Sequence, residues 1–379
     1  MSTPKIQKII VETKSCGPLT AYLHGGRVGK DVAALTVHDL GCNFKEFFDF
    51  VNHEHMSQLT QRVFWIHIEV PGQGDNDPDL PAEWKFPTMQ KIAEGIAELC
   101  DSLELKHVVV IGEGAGANIV ARVAMLRGDI CLGAILIHCT GTTAGFMESL
   151  RDRMNAWKLN SIGMNPSVEN YLMLHRFGIF VNASTEAELR TATRNFLHSL
   201  RENINPKNLN KFIQAFMVYP NFMKRKNLIK ILIYFSRTNI TDSIGNLKCP
   251  VLFITGSLAS FNHTVYTLYN ALMNSLKDEP ARKANVEILE IDGVANVMRE
   301  RPEKVAECVQ NFMQGLGVAS GAVNRRLSST GSVPRNRNRS ASMDEYDQPI
   351  GVKNLIYDNA RRYSKATDLP GSISEAGEH

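Results

Sequence analysis

The 379-residue sequence predicts an α/β domain with a mostly parallel sheet and helices on both faces. Strand-sized apolar segments alternate with segments of helical period, the arrangement typical of a doubly wound sheet. The alternation stops over residues 140–243, where the pattern is helical and irregular, and then resumes. We therefore expect a domain over residues 1–318, with a helical cap inserted at about 140–243. Residues 319–379 are rich in Ser and Arg and poor in large apolar residues, which predicts a disordered tail.

The predicted strands are apolar segments bounded by turn residues. Residues 6–13 and 19–25 flank a Cys-Gly-Pro turn and indicate a hairpin. Apart from one histidine in each, residues 107–112 and 132–139 are apolar, as in strands buried on both faces of a parallel sheet. The other predicted strands cover residues 33–40, 62–70, 249–257 and 285–292.

The predicted helices repeat apolar residues every three or four positions. In residues 89–103, Ile92, Ile96 and Leu99 fall on one face. Residues 302–317 have Pro in the first turn and Gly at the end, which are helix start and stop signals. The other predicted helices cover residues 117–126, 189–200, 208–219 and 265–276.

Composition narrows the function classes. The formal net charge is only +3, so bulk charge gives no argument for nucleic-acid binding. None of the seven cysteines forms a Cys-x-x-Cys pair, and we expect no metal and no cofactor. The first residues lack the apolar stretch of a signal peptide, and no segment approaches the ~20 apolar residues of a membrane span. We expect a cytoplasmic protein, whose oligomeric state the sequence leaves open.

The most informative segment is VVVIGEGAGAN, residues 108–118. A strand runs into Gly-x-Gly-x-Gly and then a helix, where active α/β-hydrolases carry Gly-x-Ser-x-Gly. The position of the nucleophile is Gly114, which has no side chain. A dinucleotide fingerprint formed by Gly112, Gly114 and Ala117 is the competing interpretation, but no acidic residue ends the next strand.

The other two triad positions also lack competent residues. The acid should follow the strand at 249–257, but residues 256–259, ending at Ala259, contain no carboxylate. The histidine should lie in the loop 291–304, which has Ala295 and Asn296 but no His. The sequence therefore predicts a pseudo-hydrolase. An unorthodox hydrolase using Cys42 or Ser257, and a receptor for a small apolar ligand, remain as alternatives.

Together, HDLGCNF (38–44), VPGQGDN (70–76), IGEGAGA (111–117) and LKCPVLFITG (247–256) resemble the N-myc downstream-regulated (NDRG) family. The resemblance covers roughly residues 5–345. It implies an α/β-hydrolase fold without the elbow serine, a phosphorylated tail, and a non-enzymatic intracellular role in differentiation, stress response, signalling and trafficking. The family's long tandem tail repeats are absent here.

Three polar residues are candidates to line a vestigial pocket. His38 and Asp39 occupy the place of the hydrolase oxyanion loop, and Glu113 flanks the elbow. The interpretation adopted for His38 is that its imidazole bonds backbone and holds the loop. Glu113 is expected to be solvated or to stabilise a helix terminus.

The tail suggests regulation by basophilic Ser/Thr kinases. Ser328 follows an Arg pair, and Ser340 and Ser342 each complete an Arg-x-Arg-x-x-Ser pattern. Such kinases bind arginines through carboxylates, and we expect phosphorylation at these three serines and protein partners for the chain. The basic segment 224–230 could contact a lipid surface only with its cations on one exposed face; an ordinary solvated face is the simpler interpretation.

Overall fold

A computed structural model describes residues 6–141, 163–178, 187–216 and 239–318. The strands are β1 (Ile6–Thr13), β2 (Gly17–His24), β3 (Ala33–Val37), β4 (Phe64–Glu69), β5 (Val108–Glu113), β6 (Cys131–Ile137), β7 (Val251–Gly256) and β8 (Val286–Ile291). They form one sheet in the order β1-β2-β4-β3-β5-β6-β7-β8. β2 pairs antiparallel with β1 and with β4, whereas the other neighbours are parallel. The predicted mostly parallel sheet is confirmed.

Burial along the strands explains the sequence pattern. β3, β4, β5 and β7 are buried at every residue, as expected for strands packed on both faces. β1, at the edge, is mostly exposed. β3 ends at Val37, three residues before the predicted end, because His38 and Asp39 leave the strand to form polar contacts at its carboxyl end.

The helices are α1 (Lys45–Val51), α2 (Ser57–Arg62), α3 (Met89–Ser102), α4 (Ala115–Leu126), α5 (Pro166–Phe177), α6 (Ala187–Glu202), α7 (Pro206–Phe216), α8 (Asn262–Ser275), α9 (Pro280–Lys283), α10 (Val297–Glu300) and α11 (Pro302–Gly315). Every segment predicted as a helix contains one. The prediction missed α1, α2, α9 and α10, which are too short to show a helical period. It also missed α5, which lies in the part of the sequence described only as helical and irregular. None of the described helices has the length and apolar character needed to cross a membrane.

Helices α5 to α7 form the described part of the insertion between β6 and β7. Asn165 is the N-cap residue of α5, and its side chain accepts hydrogen bonds from the N–H groups of Ser167 and Val168. Pro166 is the first residue of the helix. α5 packs on α6 through Phe177 and Phe196, whose ring centres lie 5.6 Å apart. The basic segment 224–230 lies outside the described residues, as do the three tail serines.

Candidate functional site

The turn between β5 and α4 has the backbone geometry of a nucleophile elbow. Gly114 has φ +54° and ψ −116° and is the N-cap residue of α4. Its two flanking glycines are required by crowding: a Cβ on Gly116 would lie 2.1 Å from the carbonyl oxygen of Val37, and one on Gly112 would lie 2.6 Å from Ala117. The strained turn is therefore present, although Gly114 at its centre provides no side chain.

Asp39 fills the space that an elbow side chain would need. A Cβ added to Gly114 would lie 2.1 Å from Asp39 Oδ1. The same oxygen accepts a hydrogen bond of 2.8 Å from the backbone N–H of Ala115. In α/β-hydrolases the N–H of the residue after the nucleophile binds the oxyanion of the reaction intermediate. Here that donor is occupied by a carboxylate of the chain itself.

Helix α5 places a histidine on this carboxylate. Nε2 of His175 lies 3.1 Å from Asp39 Oδ2, and both side chains are buried. Burial alone would raise the pKa of Asp39, but the His175 charge and the hydrogen bonds from His175 and Ala115 outweigh it and lower the pKa to about 2. Burial lowers the pKa of His175, and attraction to Asp39 more than reverses this effect. The two residues therefore form a buried ion pair.

Arg176, the next residue of α5, joins the insertion to two buried acids. It lies 2.5 Å from Glu46 and 3.4 Å from Glu113, and Arg299 lies 2.7 Å from the other oxygen of Glu46. Burial opposes ionisation of Glu46, but the two arginines lower its pKa to about 2. For Glu113 burial prevails over the attraction of Arg176, and the pKa rises to about 7.

Glu113 corrects an expectation from the sequence. It is 1% exposed, so neither solvation nor an exposed helix terminus accounts for it. Its carboxylate accepts a hydrogen bond of 3.1 Å from Asn296, at the position where a hydrolase histidine was sought. Asn296 is also the N-cap residue of α10, and its side chain accepts a hydrogen bond from the N–H of Arg299. Asn296 thus ties the loop after β8 to the elbow, and its neighbour Ala295 contributes a backbone N–H to Glu300.

The position of the acid after β7 holds no carboxylate either, and Ala259 is half-buried there. Ser257 Oγ donates a hydrogen bond of 3.0 Å to Asp292, which follows β8, and accepts one from Gly293. Neither Ser257 nor Asp292 lines the cavity at the elbow. Cys42 is buried, and burial raises the pKa of its thiol well above the usual value, which disfavours the reactive thiolate.

Of the three pocket candidates, Asp39 and Glu113 line the cavity at the elbow and His38 does not. The His38 ring is drawn away because Nδ1 lies 2.9 Å from the Asp39 carbonyl oxygen and Nε2 lies 2.9 Å from Glu69. His38 therefore holds the loop that positions Asp39.

The cavity has a free volume of about 20 Å³, room for a water molecule but not for a drug-sized ligand. Its described lining is Asp39, Glu113, Gly114, His138, Thr140, His175, Arg176, Phe216, Phe261, Val265 and Asn296. Within the described parts of the chain, no cluster of three or more His, Cys, Asp or Glu could hold a metal ion.

Sequence reasoning missed His138, His175 and Arg176. His138 follows β6 with φ +51°, and burial lowers its pKa to about 4. The other two lie on α5, which Asn165 and Pro166 at one end and Gly178 at the other could have indicated. No sequence signal, however, shows which face of that helix meets the sheet.

Fold and site together define an α/β-hydrolase-fold protein whose elbow carries glycine against an internal carboxylate. The chain matches the family model of the Ndr family over residues 9–320 and belongs to that family. It is 34% identical to the uncharacterized protein ZK1073.1 of Caenorhabditis elegans, over 92% of this chain and 95% of that one. It is 28% identical to protein NDRG3 of Xenopus laevis, over 88% and 84% of the two chains.

Solved structures show the same fold in enzymes. A thermophilic esterase from Thermogutta terrifontis superposes with a TM-score of 0.61 at 14% identity, over 82% of this chain and 99% of the esterase. The enol-lactonase from Burkholderia xenovorans gives a TM-score of 0.60 at 12% identity, over 81% of this chain and all of the lactonase. At these identities the likeness concerns the fold alone.

Proposed function

We propose that this chain is a non-catalytic α/β-hydrolase-fold protein of the cytoplasm, acting as an adaptor in signalling, differentiation or the stress response. The observation that carries the proposal is the Asp39 carboxylate beside Gly114. The Ala115 N–H bonds Asp39 at 2.8 Å and is not free for the oxygen of a tetrahedral intermediate. A second negative charge there would also be repelled by Asp39. The site thus lacks both the nucleophile and the means to stabilise its reaction.

Among the described residues, neither substitute nucleophile has a histidine as a hydrogen-bond partner. Cys42 is a buried thiol with a raised pKa. Ser257 Oγ is engaged by Asp292 and Gly293 and has no histidine among its hydrogen-bond partners. A serine or cysteine without a base or a lowered pKa is a poor nucleophile. The geometry of both residues therefore supports binding rather than turnover.

The test of the non-catalytic proposal is reaction with acyl esters and with a fluorophosphonate probe. We expect no stoichiometric labelling of the purified full-length protein, because Asp39 occupies the oxyanion donor. An active esterase is the positive control. Labelling that is removed by Cys42→Ala or Ser257→Ala would refute the proposal and establish an unorthodox hydrolase.

The proposed adaptor is regulated through its tail. Ser328, Ser340 and Ser342 follow arginines in a segment rich in positive charge. Each phosphate adds about −1.5 to −2 charges at neutral pH and so changes the attraction of this segment to acidic partners. Mass spectrometry of the protein from its own cells should find phosphate at one or more of these serines. Its absence across growth and stress conditions would remove the tail from the proposal.

Proximity labelling in cells tests the adaptor role directly. The full-length protein is compared with a variant in which Ser328, Ser340 and Ser342 are all changed to alanine. Ser332→Ala is the matched control, because Ser332 lacks the upstream arginine pattern. We expect the triple variant to label a different set of proteins, while the control labels the wild-type set. Identical sets for all three proteins would argue against a phosphorylation-dependent adaptor.

A further inference from the structure

Two cysteines far apart in the sequence meet at the amino-terminal ends of the parallel strands, opposite the carboxyl ends where the elbow lies. Cys131 is the first residue of β6, and Cys249 lies two residues before β7. Their sulfur atoms are 3.7 Å apart, although 118 residues separate them along the chain. The contact is fixed by the parallel pairing of the two strands, in which the N–H of Ala134 donates to the carbonyl oxygen of Pro250.

The two thiols have different environments. Cys131 is buried, whereas Cys249 is partly exposed and lines a shallow depression together with Lys248 and Arg282. The Arg282 guanidinium donates to the carbonyl oxygens of Gly245 and Leu247, which places its charge beside the segment that leads to Cys249. A small polar molecule can therefore reach Cys249 more readily than Cys131.

The contact between the two sulfurs also shifts the pKa values of the two thiols in opposite directions. The hydrogen bond between them raises the pKa of Cys131 well above its usual value and lowers the pKa of Cys249. The positive charge of Arg282 lowers the pKa of Cys249 further. Cys131 accordingly keeps its proton and donates it towards Cys249, which has the greater thiolate character.

We propose that Cys249 and Cys131 form a peroxide-reactive pair, with Cys249 oxidised first and Cys131 resolving it to a reversible disulfide that joins β6 to β7. The Cys249 thiolate attacks the O–O bond of a hydroperoxide, giving a sulfenic acid and releasing an alcohol or water after protonation. The Cys131 sulfur then attacks the Cys249 sulfur, losing its proton. The S–O bond breaks and water leaves. Two thiols are oxidised and one peroxide is reduced.

The disulfide would close a loop that contains the whole insertion. Cross-linking so long a loop restricts the unfolded chain, so the oxidised protein should resist unfolding more than the reduced protein. The elbow lies at the carboxyl ends of the strands and takes no part in the reaction. The inference therefore stands independently of the proposed adaptor role.

The experiment treats the reduced full-length protein with hydrogen peroxide, blocks the remaining thiols and maps peptides by mass spectrometry. We expect one linked peptide pair containing Cys131 and Cys249, with a mass lower by about 2 Da than the two reduced peptides and reversed by dithiothreitol. In Cys131→Ser, dimedone should trap a sulfenic acid at Cys249; Cys131→Ala is the second variant if serine perturbs the fold. In Cys249→Ser, Cys131 should remain reduced.

Cys308 provides the matched control. It is also partly exposed, but burial raises its pKa to about 11. Before peroxide is added, Cys249 should react with iodoacetamide at least about tenfold faster than Cys308 at neutral pH. Cys308→Ser should form the disulfide like the wild type. Equal reactivity of the two thiols, or peroxide treatment of the wild type that yields no linked pair, would overturn the proposal.

Discussion

His175 Nε2 lies 3.1 Å from Asp39 Oδ2, so a helix of the insertion closes directly onto the carboxylate at the elbow. The next residue, Arg176, reaches two further acids of the sheet domain. The insertion is therefore held to the sheet domain by buried charges at the place where a hydrolase would bind substrate. Four consequences can be measured.

The first prediction concerns Gly114→Ala. An added Cβ would lie 2.1 Å from Asp39 in a backbone conformation that side chains rarely adopt. We expect the free energy of unfolding to fall by about 2–5 kcal/mol, the sum of backbone strain and overpacking. Gly29→Ala is the matched control, since Gly29 also has positive φ but nothing within 4 Å of an added Cβ. It should lose only about 1–2 kcal/mol.

A double variant separates the collision from the strain. If Asp39 causes the collision, Asp39→Ala combined with Gly114→Ala should be more stable than the sum of the two single losses predicts. Urea unfolding of all four proteins gives the coupling free energy. Strict additivity would show that the side chain of Asp39 does not occupy the elbow.

The second prediction is a pH dependence carried by His175. Its pKa is raised in the folded protein, so its stabilising effect is complete below the unfolded value of about 6.5 and is lost as pH rises through the folded pKa. The pKa of Asp39 is about 2, so its effect is lost only as pH falls from about 4 towards 2. His175→Gln should therefore destabilise the protein more at about pH 5.5 than at about pH 9.

Chemical unfolding at both pH values measures this difference. The exposed residue His263 supplies the control variant His263→Gln, which should lower stability little. A loss in His175→Gln that is the same at both pH values would mean that the imidazole is packed there but carries no charge.

The third prediction concerns Glu113, whose pKa of about 7 lies above that of a free glutamate. Between about pH 4.5 and 7 the folded protein binds a proton that the unfolded chain releases, so this residue makes stability fall as pH rises. Glu113→Gln keeps the shape and the hydrogen-bonding capacity towards Asn296 and removes the titration. The slope of stability against pH should become less negative in this window. An unchanged slope would contradict the raised pKa.

The fourth prediction compares two arginines of the insertion, Arg176 with its buried carboxylate partners and Arg201 in an exposed pair. Arg176→Met leaves Glu46 and Glu113 with less charge compensation in a buried site, and should cost about 3–5 kcal/mol. Arg201→Met breaks the pair with Glu169, in which the arginine side chain is 55% exposed. That change should cost much less, because solvent screens the pair. Similar losses in urea unfolding would show that burial does not strengthen the dependence on Arg176.

The sheet was predictable because its signals are local. Residues 108–112 are apolar throughout because both faces of β5 are covered, and the glycines that follow form a recognisable motif within one strand–turn–helix unit. The vacant elbow at Gly114 could be located for the same reason.

The contacts at the site could not be predicted, because they join distant parts of the chain. Asp39 and His175 are 136 residues apart, and Glu113 and Asn296 are 183 residues apart. Glu113 illustrates the difficulty. A glutamate after a strand is usually solvated, and only partners supplied by the insertion and by the loop after β8 make its burial tolerable.

The packing of Asp39 against Gly114 also limits which substitutions the two positions tolerate. A serine at position 114 would place its Cβ 2.1 Å from Asp39 Oδ1, so the carboxylate or the backbone of the elbow would have to move. A change at Asp39 alone would free the donor but leave no nucleophile and would strip His175 of its counter-charge. We expect each single change to lower stability, and neither alone supplies both a nucleophile and a free oxyanion donor, so Gly114 and Asp39 constrain each other.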